Sequence, residues 1–292
     1  MGLWNSLGFV FRHPLTRERK LSTLVRIAKW QIGSRLVPGP VAVELANGAQ
    51  LLVRPGMTGA TGNIYVGLHE FEDMAFVMHF LRPGDLFADV GANVGSYTIL
   101  AAAGAGADCI SFEPDPSAFA WLLRNIDLNG VAARVDARRQ AAGASDGDVS
   151  FTTGLDTVNH VAHASEGIAN MVRVTTLDGA LGDRCPNIVK IDVEGFETEV
   201  LAGARQMLGN AKLCCIVMEV AGSGTRYGFD EKKLREIMTQ NGFGEYRYDP
   251  MTRKLAHSDA QNGNNSLFVR NLAHVERRLS QAPPVTVLGR SF

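Results

Sequence analysis

Residues 85–98 read DLFADVGANVGSYT. Leu86–Val90 is a short apolar run, which predicts a strand buried on both faces. The chain then passes through Asp89-Val90-Gly91-Ala92-Asn93-Val94-Gly95 into Tyr97–Ala103, a stretch expected to be helical. Glycine lets the backbone turn tightly and approach a bound group closely. The start of the following helix offers unpaired N–H groups to a carboxylate.

Two ligands suit such a loop. A dinucleotide site has the spacing G-x-G-x-x-G, so that a pyrophosphate can lie against the middle glycine. Here Asn93 stands at that position, and its side chain would crowd a pyrophosphate. The observed D-x-G-x-x-x-G is the spacing of enzymes that bind S-adenosylmethionine, which carries no phosphate. Asp89, Gly91, Asn93 and Gly95 are therefore expected to bind S-adenosyl-L-methionine. A NAD-dependent oxidoreductase is the competing reading.

Outward from the loop, DCISF (108–112) predicts a second strand ending at Glu113. A carboxylate there can accept hydrogen bonds from both hydroxyls of a ribose. NIVKIDV (187–193) predicts a strand beside the first, so that Lys190-Ile-Asp192-Val-Glu194-Gly195 borders the ligand crevice of the sheet. Asp192 is expected to serve both the cofactor and the reaction, and Glu194 the reaction. The alternative is that one of them caps the next helix. Strands are also expected near 133–137, 212–220, 246–249 and 265–271, with helices at 117–129, 197–208 and 231–240 between them. VSFTT (149–153) and MVRVTTL (171–177) could pair as an insertion. This alternation predicts an α/β, Rossmann-like, doubly wound and mostly parallel sheet of seven strands.

Before this core, VAVELANGAQLLVRP (41–55) predicts a hairpin turning at Asn47-Gly48. Residues 21–36 predict a helix whose Leu21, Leu24, Val25, Ala28, Trp30 and Ile32 lie mostly on one side. That side is expected to dock on the main domain; the alternative is peripheral contact with a membrane surface, since basic residues lie between. Seven of the first 36 residues are Lys or Arg and only Glu18 is acidic, whereas the whole chain carries a net charge of −1. No dense basic face with interleaved aromatics follows, so no nucleic-acid partner is expected. The four cysteines, Cys109, Cys185, Cys214 and Cys215, form no C-x-x-C pair; Cys109, Cys214 and Cys215 sit inside apolar runs and are read as buried thiols in a reducing compartment. No apolar run approaches the ~20 residues that span a bilayer, and residues 1–15 make a poor secretory signal, so a cytoplasmic location is expected.

LRPGDLFADVGANVGSYT (81–98), SFEPDPSAFAWLLRNIDLNG (111–130), VTTLDGAL (174–181) and above all VKIDVEGFETEVLAGA (189–204) resemble the FkbM family of methyltransferases. The resemblance implies methyl transfer from S-adenosyl-L-methionine to a hydroxyl oxygen of a small molecule or glycan, such as a sugar or polyketide. Asp89, Gly91, Asn93 and Gly95 would line the methionine half, Glu113 the ribose, and Asp192 and Glu194 the reaction side. An alcohol is a poor nucleophile at neutral pH, so a general base should assist. Its candidates are Asp192, Glu194 and His69, with His160 and His163 in the insertion. Asp192, Glu194 and Glu219 could supply oxygen ligands to Mg²⁺, but no obligatory metal is expected. The expected organisation is a basic helix and hairpin extension over 1–60, the methyltransferase domain over 61–275 and a loose tail over 276–292. A non-catalytic S-adenosylmethionine-binding or membrane-associated scaffold is the remaining alternative. The identity of the acceptor and the oligomeric state are not legible.

Overall fold

The computed structural model of the protein describes residues 3–36, 39–152, 159–161, 169–220, 222–258 and 265–292. Helices α1 (Leu3–Arg12) and α2 (Lys20–Leu36) precede a hairpin of β1 (Val41–Glu44) and β2 (Gln50–Val53). Helices α3 (Thr58–Val66) and α4 (Phe71–Phe80) lead to β3 (Leu86–Val90) and α5 (Ser96–Ile99), which runs on as a π turn over Leu100–Gly104. Next come β4 (Asp108–Phe112), α6 (Pro116–Leu128) and β5 (Val135–Arg138). An insertion follows, made of β6 (Ala141–Ala142), β7 (Gly147–Thr152) and β8 (Ala169–Thr175), then α7 (Leu177–Leu181). The chain continues with β9 (Ile188–Ile191), α8 (Glu197–Ala202), α9 (Arg205–Gly209), β10 (Cys215–Glu219) and α10 (Glu231–Gln240). It ends with β11 (Gly244–Asp249), β12 (Lys254–His257), β13 (Asn265–Val269), α11 (Leu272–Ser280), β14 (Thr286–Val287) and β15 (Arg290–Ser291).

The main sheet has the order β12-β11-β13-β10-β9-β3-β4-β5. Strands β10, β9, β3, β4 and β5 are parallel, while β13 pairs antiparallel with both β10 and β11. Strands β4, β9 and β10 are buried along most of their length, which is why they read as mostly apolar runs, whereas the edge strand β5 is half-buried. Along β3, Phe87 joins the core on one face of the sheet, and Ala88 and Val90 join the core on the other. After β3 the chain adds strands on one side, through β4 and β5; it later returns and adds on the other side, from β9 to β10. The switch lies between β3 and β9, and it leaves a crevice beyond their carboxyl ends.

The doubly wound, mostly parallel sheet matches expectation, with one addition. The seven expected strands are joined by β12, which pairs antiparallel with β11 at the edge. The insertion strands β7 and β8 also pair antiparallel, in a separate small sheet with β6. The single helix expected over 197–208 is broken at Gly203, where a Cβ would lie 2.0 Å from the Gly143 carbonyl oxygen. The helix yields there to the close passage of another loop.

The ends of the chain depart further from expectation. The tail is not loose. Val285 and Val287 are each 1% exposed and join the main core, and Arg278 of α11 forms an ion pair with Asp85. The hairpin packs into the same core: Leu51 and Val53 are fully buried in it, and the Leu52 N–H donates to Asn125 of α6 at 2.7 Å. Helix α2 meets expectation only at Trp30 among the side chains expected to dock. It buries Thr23 and Trp30, and leaves Leu21, Leu24, Val25 and Ile32 exposed. No helix among the described residues is long and apolar enough to cross a membrane.

Candidate active site

A cavity of about 380 Å³ occupies the crevice between the ends of β3 and β9. Its size falls in the usual range for small-molecule sites. The β3 loop forms its floor. Gly91, Asn93 and Gly95 all have positive φ, at 84°, 51° and 93°. Gly91 is also required by contact: a Cβ there would lie 1.8 Å from the Asp192 carbonyl oxygen. The glycine thus lets the β3 loop lie directly against the end of β9. Asparagine is among the few side chains that accept a left-handed backbone, which accounts for Asn93. Its Oδ1 accepts from the Val94 N–H at 2.7 Å, so the amide bends back onto its own loop.

Glu113 closes one end of the crevice. Its Oε2 accepts from the Asn93 N–H at 2.7 Å and its Oε1 from the Asp115 N–H at 2.8 Å. Each oxygen retains an acceptor site beyond these bonds. Burial pushes the Glu113 carboxyl up to about 7, against the pull of the two N–H donors. Asp89 lies deeper, 1% exposed, and accepts from the Thr98 hydroxyl at 2.6 Å. Burial raises it to about 6, opposed by that hydroxyl.

The other end is acidic. Carboxylate oxygens of Asp192, Glu194 and Glu219 lie within 4.8 Å of one another. Such a group can hold a hard cation or share and move protons. Asp192 is tied by its Oδ2 to Lys190 Nζ at 2.6 Å. Lys190 is 3% exposed and lies 4.7 Å from the centre of the Tyr97 ring. Burial opposes its charge, but Asp192, Glu70 and Asp89 outweigh burial and raise its pKa. Glu194 is pushed up to about 7 by burial, then by Asp192 and Glu197. Its backbone φ of 56° is rare for such a residue and costs on the order of 1–2 kcal/mol. Glu219 is pushed up to about 8 by burial, Asp192 and Glu194, and its Oε2 has no hydrogen-bond partner among the described residues.

The structure brings Asp89, Gly91, Asn93, Glu113, Asp192, Glu194 and His69 to the lining of one cavity, while Gly95 lies behind the loop, against Leu122. The capping alternative for Asp192 and Glu194 is superseded. Glu197 holds the turn instead, its Oε1 accepting from the Val193 and Gly195 N–H groups at 3.2 and 3.1 Å. His69 packs between Phe9, at 5.2 Å between ring centres, and Gly62, where a Cβ would meet its Nδ1 at 2.5 Å. Burial lowers its pKa, opposed by the charge of Glu70. His160 is buried in the insertion away from the cavity, while its neighbours Asn159 and Val161 line it. His163 lies outside the described residues.

Sequence reasoning passed over Lys190 and the polar groups behind it. Tyr97 donates its hydroxyl to Glu70 at 2.8 Å, and the Asn265 amide donates to Glu70 and Asp73, each at 3.0 Å. Burial and Glu70 push Asp73 up to about 7. Lysine inside the otherwise apolar run IVKI was the one available signal, because a buried lysine needs a carboxylate partner.

Comparison with known proteins bears on this site. The hexuronic acid methyltransferase AglP of Haloferax volcanii is 27% identical over 159 residues, 53% of this chain and 62% of that protein. The 31-O-demethyl-FK506 methyltransferase FkbM of Streptomyces tacrolimicus is 42% identical over 69 residues, 23% of this chain and 26% of that protein. The chain therefore matches less than two thirds of the length of either curated relative. Among solved structures, a methyltransferase FkbM from Methylobacillus flagellatus is 15% identical, with a TM-score of 0.43, covering 85% of this chain and 60% of that one. The Methyltransferase FkbM domain model matches residues 89–244, from the carboxylate under the glycine loop through the acidic cluster to the start of β11. That match covers more than half of the chain, and the chain belongs to the FkbM methyltransferase family.

Proposed function

We propose that this methyltransferase takes its methyl group from S-adenosyl-L-methionine and delivers it to a hydroxyl of a small molecule or glycan. One observation carries the reading. Glu113, with an acceptor site left on each oxygen, faces a loop that Gly91 holds against the end of β9, and the carboxylates of Asp192, Glu194 and Glu219 line the same cavity. The fit to the cofactor rests on this chemistry. Glu113 would take the ribose hydroxyls, and the loop over Asp89, Gly91, Asn93 and Gly95 the methionine half. Asn93 stands where a dinucleotide loop has its middle glycine, so NAD fits poorly.

Held by Glu113 and the Gly91 loop, S-adenosylmethionine would supply a sulfonium methyl for in-line displacement by the acceptor oxygen, with S-adenosylhomocysteine as the leaving group. The protein aligns the two reactants and accepts the hydroxyl proton. Glu194 is the best base, since a carboxyl near 7 is basic enough to take a proton and still ionised at working pH. Asp192, held by Lys190, acts as a fixed negative group that orients. His69 forms part of the acceptor wall. The names of the two relatives, which act on a hexuronic acid and on a demethylated polyketide, support an oxygen-rich acceptor. Glu194→Gln should lower kcat by ~10²–10⁴-fold while S-adenosylhomocysteine affinity is kept. Full turnover by that variant would remove Glu194 from the reaction. Transfer of a labelled methyl group from S-adenosylmethionine to sugar and macrolide alcohols, absent with the amine analogues, tests the acceptor class.

A further inference from the structure

Helix α2 spans 17 residues, about 25 Å. One face is clamped to α3: Arg26 donates to the Ile64 and Tyr65 carbonyls at 2.9 and 2.6 Å, and Trp30 is 8% exposed beneath it. The opposite face carries Leu21, Val25, Ala28, Ile32 and Leu36 within an arc of about 80° at helical spacing. These side chains are bare: Leu21 is 76% exposed, Val25 46%, Ile32 59% and Leu36 75%, with Leu24 beside them at 41%. Exposed cations border the stripe, Lys29 on one edge, Arg35 on the other and Lys20 next to Leu24.

We propose that this face of α2 seats in the interfacial plane of an anionic lipid bilayer. An apolar stripe edged by Lys and Arg is the pattern that lies in the headgroup boundary rather than crossing it. Charge decides the occupant. Glu18 is the only acid in the first 36 residues, and it pairs with Arg290 at 3.1 Å. A second copy laid against the same face would set cations against cations with no carboxylate between them. Arg12, Arg17 and Arg19, also exposed, add to the positive charge of this end of the chain. Helix α3, to which α2 is fixed, lines the catalytic cavity with Ala60 and Asn63. The crevice therefore stands one helix layer from the membrane. The seating itself does not depend on the proposed acceptor or cofactor.

Sedimentation with vesicles tests it. The full chain should pellet with equimolar phosphatidylglycerol and phosphatidylcholine, and at least tenfold less with phosphatidylcholine alone. Leu21→Ser/Val25→Ser/Ile32→Ser should lose at least tenfold in binding with its Tm unchanged. Lys20→Gln, Lys29→Gln and Arg35→Gln, made on the native apolar face, should each cost about fivefold at low salt; these variants decide the matter if the serine variant fails to fold. Absence of binding to anionic vesicles, or loss-free binding by the folded variants, would overturn the proposal. So would a dimer in light scattering that the serine substitutions dissociate, which would give the face to a second copy.

Discussion

Replacing Lys190 with methionine keeps the length of the side chain and removes its charge. The ammonium is 3% exposed, and its partner Asp192 has a side chain 31% exposed. Breaking a buried pair by removing one partner costs ~3–5 kcal/mol, and the access of Asp192 to solvent reduces this to roughly 2–3 kcal/mol. For a chain of this size that is a fall in Tm of about 5 °C. The loss arises from the carboxylate left behind, so Lys190→Met/Asp192→Asn should recover most of it. The cation also favours ionisation of Glu194 and Glu219. Without it both carboxyls ionise at higher pH, and the rise of kcat that depends on Glu194 should move up by ~1 pH unit from about 7. Thermal melts of the two variants and a pH–rate profile from pH 5.5 to 9 measure both effects. A single variant as stable as the parent, or a double variant no better than the single, would refute the role given to the ion pair.

Gly91→Ala should lower S-adenosylhomocysteine affinity at least tenfold, because its Cβ would lie 1.8 Å from the Asp192 carbonyl and must push the loop off β9. Gly130→Ala is the matched control: its φ is also positive but it faces open space, so it should cost only ~1 kcal/mol in a melt and nothing in affinity. Glu219 has a folded-state pKa raised from 4.5 to about 8, so it holds its proton more firmly than the unfolded chain does. Its contribution to stability is complete below 4.5 and is lost as pH rises through about 8. The ligand-free protein should therefore lose Tm between pH 5 and 8, and Glu219→Gln should flatten that slope by ~1–2 kcal/mol after allowance for solvent screening. A variant with the parent's slope would place the pH dependence elsewhere.

The glycine loop, Glu113 and the Asp192–Glu194 pair were legible because each depends on a strand end and the few residues after it. Local spacing records such features. Lys190, Tyr97, Glu70 and Asn265 meet only when β9, α5, the start of α4 and β13 are assembled, and no spacing along the chain records that meeting. The orientation of α2 was misjudged. Trp30, grouped with Leu21, Val25 and Ile32 on one side, lies on the opposite face of the helix, and the Arg26 bonds to α3 fix that face against the domain. Strand β12 has a single large apolar residue, Leu255, and gave no alternation to read. In the tail, Val285 and Val287 alternate, but Pro283-Pro284 before them suggested an unpaired end. Their burial depends on a core that the hairpin, α4 and α11 build together.

The most direct test is calorimetric titration of the folded chain with S-adenosylhomocysteine, alongside Glu113→Gln and with NAD as the competitor ligand. One equivalent of S-adenosylhomocysteine should bind the parent, bind Glu113→Gln at least tenfold more weakly, and NAD should produce no heat. A folded parent that binds NAD and ignores S-adenosylhomocysteine would contradict the nucleoside site between the Gly91 loop and Glu113.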